Sequence, residues 1–205
     1  KKIITISREF GSGGRLIGKR LAEKLDVPFY DKQLLDRIAE ESGFSKEMIK
    51  DAEMKAKNSF LYSLASAMGT SESGPESLSL NERFFLAQFD TIKKLASEAP
   101  CVIVGRCADY ALSDYEGAIS VFIHADLDKR IKRIARKHEL TDSAAKDRIQ
   151  KTDKRRASYY NYYTSKKWGD ATSYDLCLNS GVLGIDGCVE MIKRAIEIKE
   201  GRRAK

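Results

Sequence analysis

The sequence predicts an α/β fold of three layers, a central parallel sheet of about five strands with helices on both faces. Three observations carry that expectation. The chain opens on Ile3-Ile4-Thr5-Ile6, a β-branched, nearly continuous apolar run of the kind found in strands covered on both sides. It then passes through the turn Gly11-Ser12-Gly13-Gly14 into Ile17, Leu21 and Leu25, which recur at helical spacing. Further apolar runs, Pro100 to Gly105 and Ala118 to Ile123, alternate with helical segments, as right-handed βαβ crossovers require.

The remaining elements follow in order. Val27 to Asp31 reads as a short strand ending in an acid, and the next helix has Leu34, Leu35 and Ile38 on one face with Asp36 and Arg37 on the other. Ser45 is placed to cap a helix over 46–57, and Phe60, Leu61, Leu64 and Met68 continue an apolar stripe. Residues 69–79 read as a loop rich in Ser, Gly and Glu. Ser79-Leu80-Asn81-Glu82 has the form of a capping box opening a helix to about Ser97. Asp126 is expected to N-cap a helix bearing Lys129, Arg130, Lys132, Arg133, Arg136 and Lys137. Thr141 is expected to cap another, which carries Arg148, Arg155 and Arg156 and runs into Tyr159-Tyr160-Asn161-Tyr162-Tyr163. These tyrosines suit packing onto the core or stacking of a base. Trp168 falls in a polar loop, Tyr174 to Leu178 is the last strand, and Asp186 begins the closing helix. Ligands of such sheets bind beyond the carboxyl ends of the strands, where Arg8, Asp31, Gly105-Arg106 and His124 collect.

With 205 residues and 42% hydrophobic content, the chain suffices for one domain with a sizeable core. The net charge of +7 points to an anionic partner: nucleotide, nucleic acid or an acidic surface. Cys101, Cys107, Cys177 and Cys188 form no C-x-x-C pair, so neither a zinc site nor a redox dithiol is indicated. Cys101 and Cys177 lie in expected strands and are expected to be buried. No apolar run approaches membrane-spanning length, so no membrane partner is expected and the cytoplasm is the expected compartment.

A glycine turn ahead of a helix N-terminus gathers backbone N–H donors and the positive end of the helix dipole, which suits phosphate. Gly13 to Lys19 fits G-x-x-x-x-G-K, but Arg20 then stands where Ser or Thr should meet magnesium, and Ile17 leaves its stripe. The loop is therefore set at Arg8 to Arg15. This puts Gly14 at the usual lysine position, and the usual hydroxyl position is read at Leu16. The phosphate-binding candidates are Arg8, Gly11, Ser12, Gly13, Gly14 and Arg15.

ISREFGSGGRLIGKRLAEKL, PFYDKQLLDRIAE, CVIVGRCADYAL, SVFIHADLDKRIKRI, KTDKRRASYYNYYTSKKWGD and YDLCLNSGVLGID, in this order, resemble the cytidylate kinase-like branch of the P-loop nucleoside monophosphate kinases. The resemblance covers most of the chain except residues 45–98. It implies a single P-loop domain over 1–205, with 45–98 as a helical acceptor-binding insert and 139–170 as a lid. It also implies ATP and Mg2+ as cofactors, and a phosphotransferase acting on a small acceptor, a nucleoside monophosphate such as CMP. Asp31 resembles the family's strand-two aspartate, and Arg37 the arginine that grips the monophosphate. The family's Gly-Arg-Asp becomes Gly105-Arg106-Cys107, which keeps the arginine and lacks the acid. The basic helix and lid correspond to Arg130, Arg133, Arg148 and Asp153-x-Arg155-Arg156. The implied catalytic residues are Arg15, Arg106, Arg148, Arg155 and Arg156, and the implied substrate contacts are Asp31, Arg37, Arg106 and Asp153. Arg15, or Arg8 across the loop, stands in for the lysine lost at Gly14. Asp31 or Asp153 is available to orient a magnesium-bound water, and no metal ligand is assigned. The alternative is a nucleotide-binding regulatory protein without turnover, motivated by the missing lysine and acid. Nucleic acid is disfavoured as a partner, because the basic residues gather where a kinase lid would lie. Oligomerisation is left open.

Overall fold

Ile3, Ile4 and Ile6 are fully buried, and the strand they form is the middle of the sheet. A computed structural model describes residues 2–45, 47–49 and 78–203. Strands β1 (Ile3–Arg8), β2 (Phe29–Tyr30), β3 (Cys101–Val104), β4 (Ala118–His124) and β5 (Leu176–Asn179) lie in the order β2-β3-β1-β4-β5, every pair parallel. Helices α1 (Gly14–Leu25), α2 (Gln33–Ser42), α3 (Leu80–Glu98), α4 (Ala108–Ala111), α5 (Leu127–His138), α6 (Asp142–Thr164) and α7 (Ser180–Arg203) connect and follow them. The chain divides into two compact units, Lys1–Asp31 with Ala96–Lys205, and Lys32–Leu95.

In the first unit, strand alternation sorts side chains between two layers. Ile4, Ile6, Val102, Val104, Val121 and Ile123 pack with Ile17 and Leu21 of α1 and Val189 and Ile192 of α7. Ion pairs Arg20–Asp186 at 2.6 Å and Lys24–Glu190 at 2.7 Å join the exposed flanks of those helices. Ser7 and Phe122 alternate with these residues and meet the opposite layer, where Ser7 Oγ donates to Asp109 of α4. Phe122 there meets Trp168 edge-on at 5.3 Å and Tyr174 at 5.1 Å. β1 has β3 on one side and β4 on the other, so the strand order reverses at β1. The crevice at the carboxyl ends of β1 and β3 is the topological switch point, where open α/β sheets hold ligands.

Several local expectations are met and others corrected. Thr141 Oγ1 accepts from the Ala144 N–H at 3.2 Å and caps α6. Asp126 stands at the N-cap position of α5 but makes no capping bond; its carboxylate instead pairs with Lys129 at 3.7 Å. Tyr160 is buried and stacks on Tyr174 at 6.4 Å, which is the core-packing reading of the tyrosine cluster. Cys101 is buried as expected, whereas Cys177 is exposed, because β5 is an edge strand and the side of it bearing Cys177 is left open. The regular part of α7 resumes after Gly184, whose φ of 69° interrupts it two residues before Asp186.

In the second unit the capping box forms in full. The Ser79 N–H donates to Glu82 Oε2 at 2.8 Å, and the Glu82 N–H returns to Ser79 Oγ at 3.3 Å. Ser45 Oγ accepts from the Met48 N–H at 3.1 Å. The remainder of the helix expected over 46–57, the stripe from Phe60 to Met68 and residues 69–77 of the loop lie outside the described residues.

Candidate active site

The loop after β1 is held by its carbonyls. Arg156 Nη1 donates to the Arg8 carbonyl at 2.9 Å, Arg130 Nη1 to Phe10 at 3.3 Å, and Arg133 Nη1 to Gly11 at 2.6 Å. Ser180 Oγ donates to the Ser12 carbonyl, and buried Ser12 donates from its own Oγ to Glu9 at 2.9 Å. Gly11 and Gly13 sit at φ of 84° and 85°, in the left-handed region that glycine enters without a Cβ penalty. Their N–H groups take no partner among the described residues. α1 begins at Gly14, whose N–H turns to Ser12 Oγ at 3.4 Å, and the positive end of the helix dipole adds to the same end. The amides of Phe10, Ser12 and Gly14 are bonded within the protein, which leaves those of Gly11 and Gly13 open to an anion.

Glu9, an acid within that loop, is neutralised. Its Oε2 accepts from the Ala125 N–H at 3.0 Å and pairs with Arg130 Nε at 3.4 Å. Arg130, one of six basic residues on its helix, is buried, and its Nη1 reaches Asp153 Oδ2 at 2.5 Å. Asp153 Oδ1 in turn accepts from the Phe10 N–H at 2.7 Å. The guanidinium groups of Arg148 and Arg156 lie 5.7 and 5.6 Å from the Phe10 ring centre, in cation–π range.

Arg8 is the centre of charge. Its guanidinium is pushed down to about 9, first by burial, then by the neighbouring cations Arg156 and Arg106, while Asp31 and Asp153 oppose the shift. It is still a cation at neutral pH. Arg106 follows β3 in a run of three left-handed residues, Gly105 at φ 77°, Arg106 at 63° and Cys107 at 54°. Each non-glycine there costs about 1–2 kcal/mol, and such conformations cluster at functional sites.

The first unit thus brings together Arg8, Gly11 to Arg15, Asp31, Arg106, Asp153 and Arg156. Arg15 donates from Nε to Asp31 at 2.5 Å with 60% of its side chain exposed. Arg148 and Arg155 are exposed on α6. Arg37 belongs to the second unit and pairs there with Glu40 at 3.4 Å and Glu41 at 3.5 Å. One assignment needs correction. In the loop motif the hydroxyl residue directly follows the lysine, so its position is Arg15; Leu16 is exposed on the flank of α1.

Asp109 was not among the expected site residues. It accepts from the Tyr160 hydroxyl at 2.7 Å and from Ser7 Oγ at 3.5 Å. Burial raises its carboxyl above the usual aspartate range, raises the Tyr160 phenol as well, and pushes Tyr174 up to about 12. Its position two residues beyond Cys107, where the resembled pattern has its acid, was the available signal. Among the described residues no group of three or more acidic, histidine or cysteine side chains could hold a metal.

The family profile for the cytidylate kinase-like family matches residues 3–182. The chain belongs to that family. It is 27% identical over 203 residues to a cytidylate kinase of Archaeoglobus fulgidus, covering 96% of both chains. A solved structure of an uncharacterized protein from Eubacterium ventriosum superposes with a TM-score of 0.72 at 33% identity, covering 96% of this chain and 99% of that one. A shikimate kinase from Bacteroides thetaiotaomicron shares the fold, with a TM-score of 0.52 at 19% identity over 96% of this chain and 98% of its own. Family and fold make this chain a nucleotide kinase of the P-loop type, with its specificity open. No helix among the described residues is long and apolar enough to cross a membrane.

Proposed function

We propose that this member of the cytidylate kinase-like family transfers the γ-phosphoryl group of ATP to a nucleoside monophosphate, CMP before others. One observation carries the reading: Arg8, Arg106 and Arg156 gather with Asp31 and Asp153 beside open amides at the switch point of the sheet. Phosphoryl transfer asks a protein for positioning and charge neutralisation rather than covalent chemistry. Open N–H groups with surplus guanidinium fit a polyphosphate, and the Gly11 and Gly13 amides would hold the donor's β-phosphate. Arg106 would orient the acceptor phosphate, and the resemblance assigns Arg37 the same ligand. Arg148, Arg155 and Arg156 of the lid over 139–170 would exclude water and steady the transferring group.

The fit to magnesium is thinner. The hydroxyl position carries Arg15, and Asp31 is paired with that arginine. Magnesium keeps several waters and binds largely through substrate phosphates, so such an ion would enter with the nucleotide, with Asp31 the carboxylate available beside the loop. When bound, it would neutralise charge on the β- and γ-phosphates.

A coupled assay with ATP, magnesium and a panel of nucleoside monophosphates tests the reading. Turnover with a pyrimidine monophosphate, CMP fastest, is the expected result. ATP binding with no turnover on any acceptor would overturn it in favour of a regulatory nucleotide-binding protein, the reading that the missing lysine favours.

A further inference from the structure

Gly14 stands where the loop lysine belongs, and its backbone does not call for glycine. It lies in the first turn of α1, outside the positive-φ glycines, and glycine is a poor helix former. Space is what calls for it. A Cβ at position 14 would lie 2.5 Å from Arg8 Cβ, 3.0 Å from Arg8 Cγ and 3.3 Å from Ile123 Cβ. Those atoms are at the roots of side chains on the two central strands and cannot swing aside. Further out along the same side chain, a Cβ at Gly105 would lie 2.4 Å from Arg8 Nη1 and 3.1 Å from its Cζ. The stem of Arg8 therefore crosses Gly14, and its guanidinium rests against Gly105. A side chain at position 14 and the arginine at position 8 exclude each other.

We infer that the phosphate-binding cation of this loop has moved from position 14 to position 8, so that Arg8 binds the donor's phosphates and Gly14 and Gly105 are the glycines that admit it. The inference rests on the phosphotransferase reading above. Arg15, the other replacement, is held by Asp31 and largely exposed. Arg8 ends β1 immediately before the open amides and shares its surroundings with Arg106 and Arg156, while Asp31 and Asp153 are each engaged by a further arginine. Positive charge is left in surplus, as a polyphosphate site requires. Arginine adds a planar fork that can meet two phosphate oxygens at once.

The test is binding of ATP and, separately, AMP, by calorimetry, with a melting temperature for every protein. Arg8→Ala is expected to lose at least tenfold in ATP affinity while changing AMP affinity little, and Arg15→Ala to lose less. Gly14→Lys alone is expected to lower both melting temperature and ATP affinity. The double variant Arg8→Gly/Gly14→Lys is expected to recover both relative to Gly14→Lys, a non-additivity that only coupled positions give. Wild-type ATP affinity in Arg8→Ala, or Gly14→Lys indistinguishable from wild type, would overturn the inference. Should Arg8→Ala not fold, failure of the double variant to recover decides against it. A wild-type protein that binds ATP but phosphorylates no monophosphate removes the kinase reading and leaves this one; a wild type that binds no ATP overturns both.

Discussion

Asp153 accepts a hydrogen bond from the backbone N–H of Phe10 at 2.7 Å, through the same carboxylate that pairs with Arg130. One aspartate therefore ties α6 to the phosphate loop and balances the buried guanidinium beneath it. Because the hydrogen bonds from Arg130, Arg133 and Arg156 all run to the loop's carbonyls, Asp153 is the acceptor among donors. In this arrangement Asp153 holds the loop.

Replacing Asp153 by alanine should therefore act on stability first. It leaves buried Arg130 with Glu9 as its remaining carboxylate at 3.4 Å, so the loss should stay below the roughly 3 kcal/mol of a buried charge left with no partner. Asp153→Asn keeps an acceptor for the Phe10 N–H and should lose less. Urea unfolding of both variants is the measurement, and an unchanged midpoint for Asp153→Ala would show that the pair contributes nothing.

Asp109 makes a prediction in pH. Its folded-state value is raised above the ordinary 3.8, with burial as the largest cause. The fold thus favours the protonated carboxyl relative to the unfolded chain. Its contribution to stability is full below 3.8 and is lost as pH rises through that value to the raised one. Asp109→Asn, which keeps an oxygen for the Tyr160 hydroxyl, should gain on the wild type as pH rises from 3.8 through the raised value. Unfolding midpoints across that range check it; parallel curves would remove Asp109 from the account.

The sheet was legible in the sequence because buried parallel strands leave nearly unbroken apolar runs, as Ile3 to Ile6 and Cys101 to Val104 do. The caps at Ser79 and Thr141 were legible because a cap is a local event within four residues. Cys177 was not, since burial of a strand residue depends on whether the strand lies at an edge, which is a property of the topology. The loop was half legible. Its glycines announced a phosphate site, but the reason for Gly14 lies in Arg8, six residues earlier and adjacent only after folding. Arg130 read only as one cation of the basic helix; its carboxylate partners Glu9 and Asp153 lie far along the chain and meet it only after folding.

The capping box of α3 offers a test confined to the second unit. Ser79→Ala removes the acceptor for the Glu82 N–H and one partner of the Glu82 carboxylate, and should cost about 1 kcal/mol. Nucleotide affinity should hold constant while the unfolding midpoint falls. A drop in ATP affinity as large as the loss of stability would count against so local a role.

Arg155 and Arg156 are neighbours on α6 and should separate experimentally. Arg156 donates to the Arg8 carbonyl at 2.9 Å and lies over the Phe10 ring, so it holds the loop as well as charging it. Arg156→Ala should lose about 2 kcal/mol of stability through a charged hydrogen bond, together with roughly a hundredfold in kcat as a transition-state donor. Arg156→Lys keeps the charge but not the fork, and should recover stability better than turnover. Arg155 is exposed, so Arg155→Ala should stay within about 0.5 kcal/mol of wild-type stability and lower kcat alone. Paired measurements of kcat and unfolding midpoint decide. Loss of stability in Arg155→Ala, or full turnover in Arg156→Ala, would reverse the division between the residue that holds the loop and the residue that only faces the transferring group.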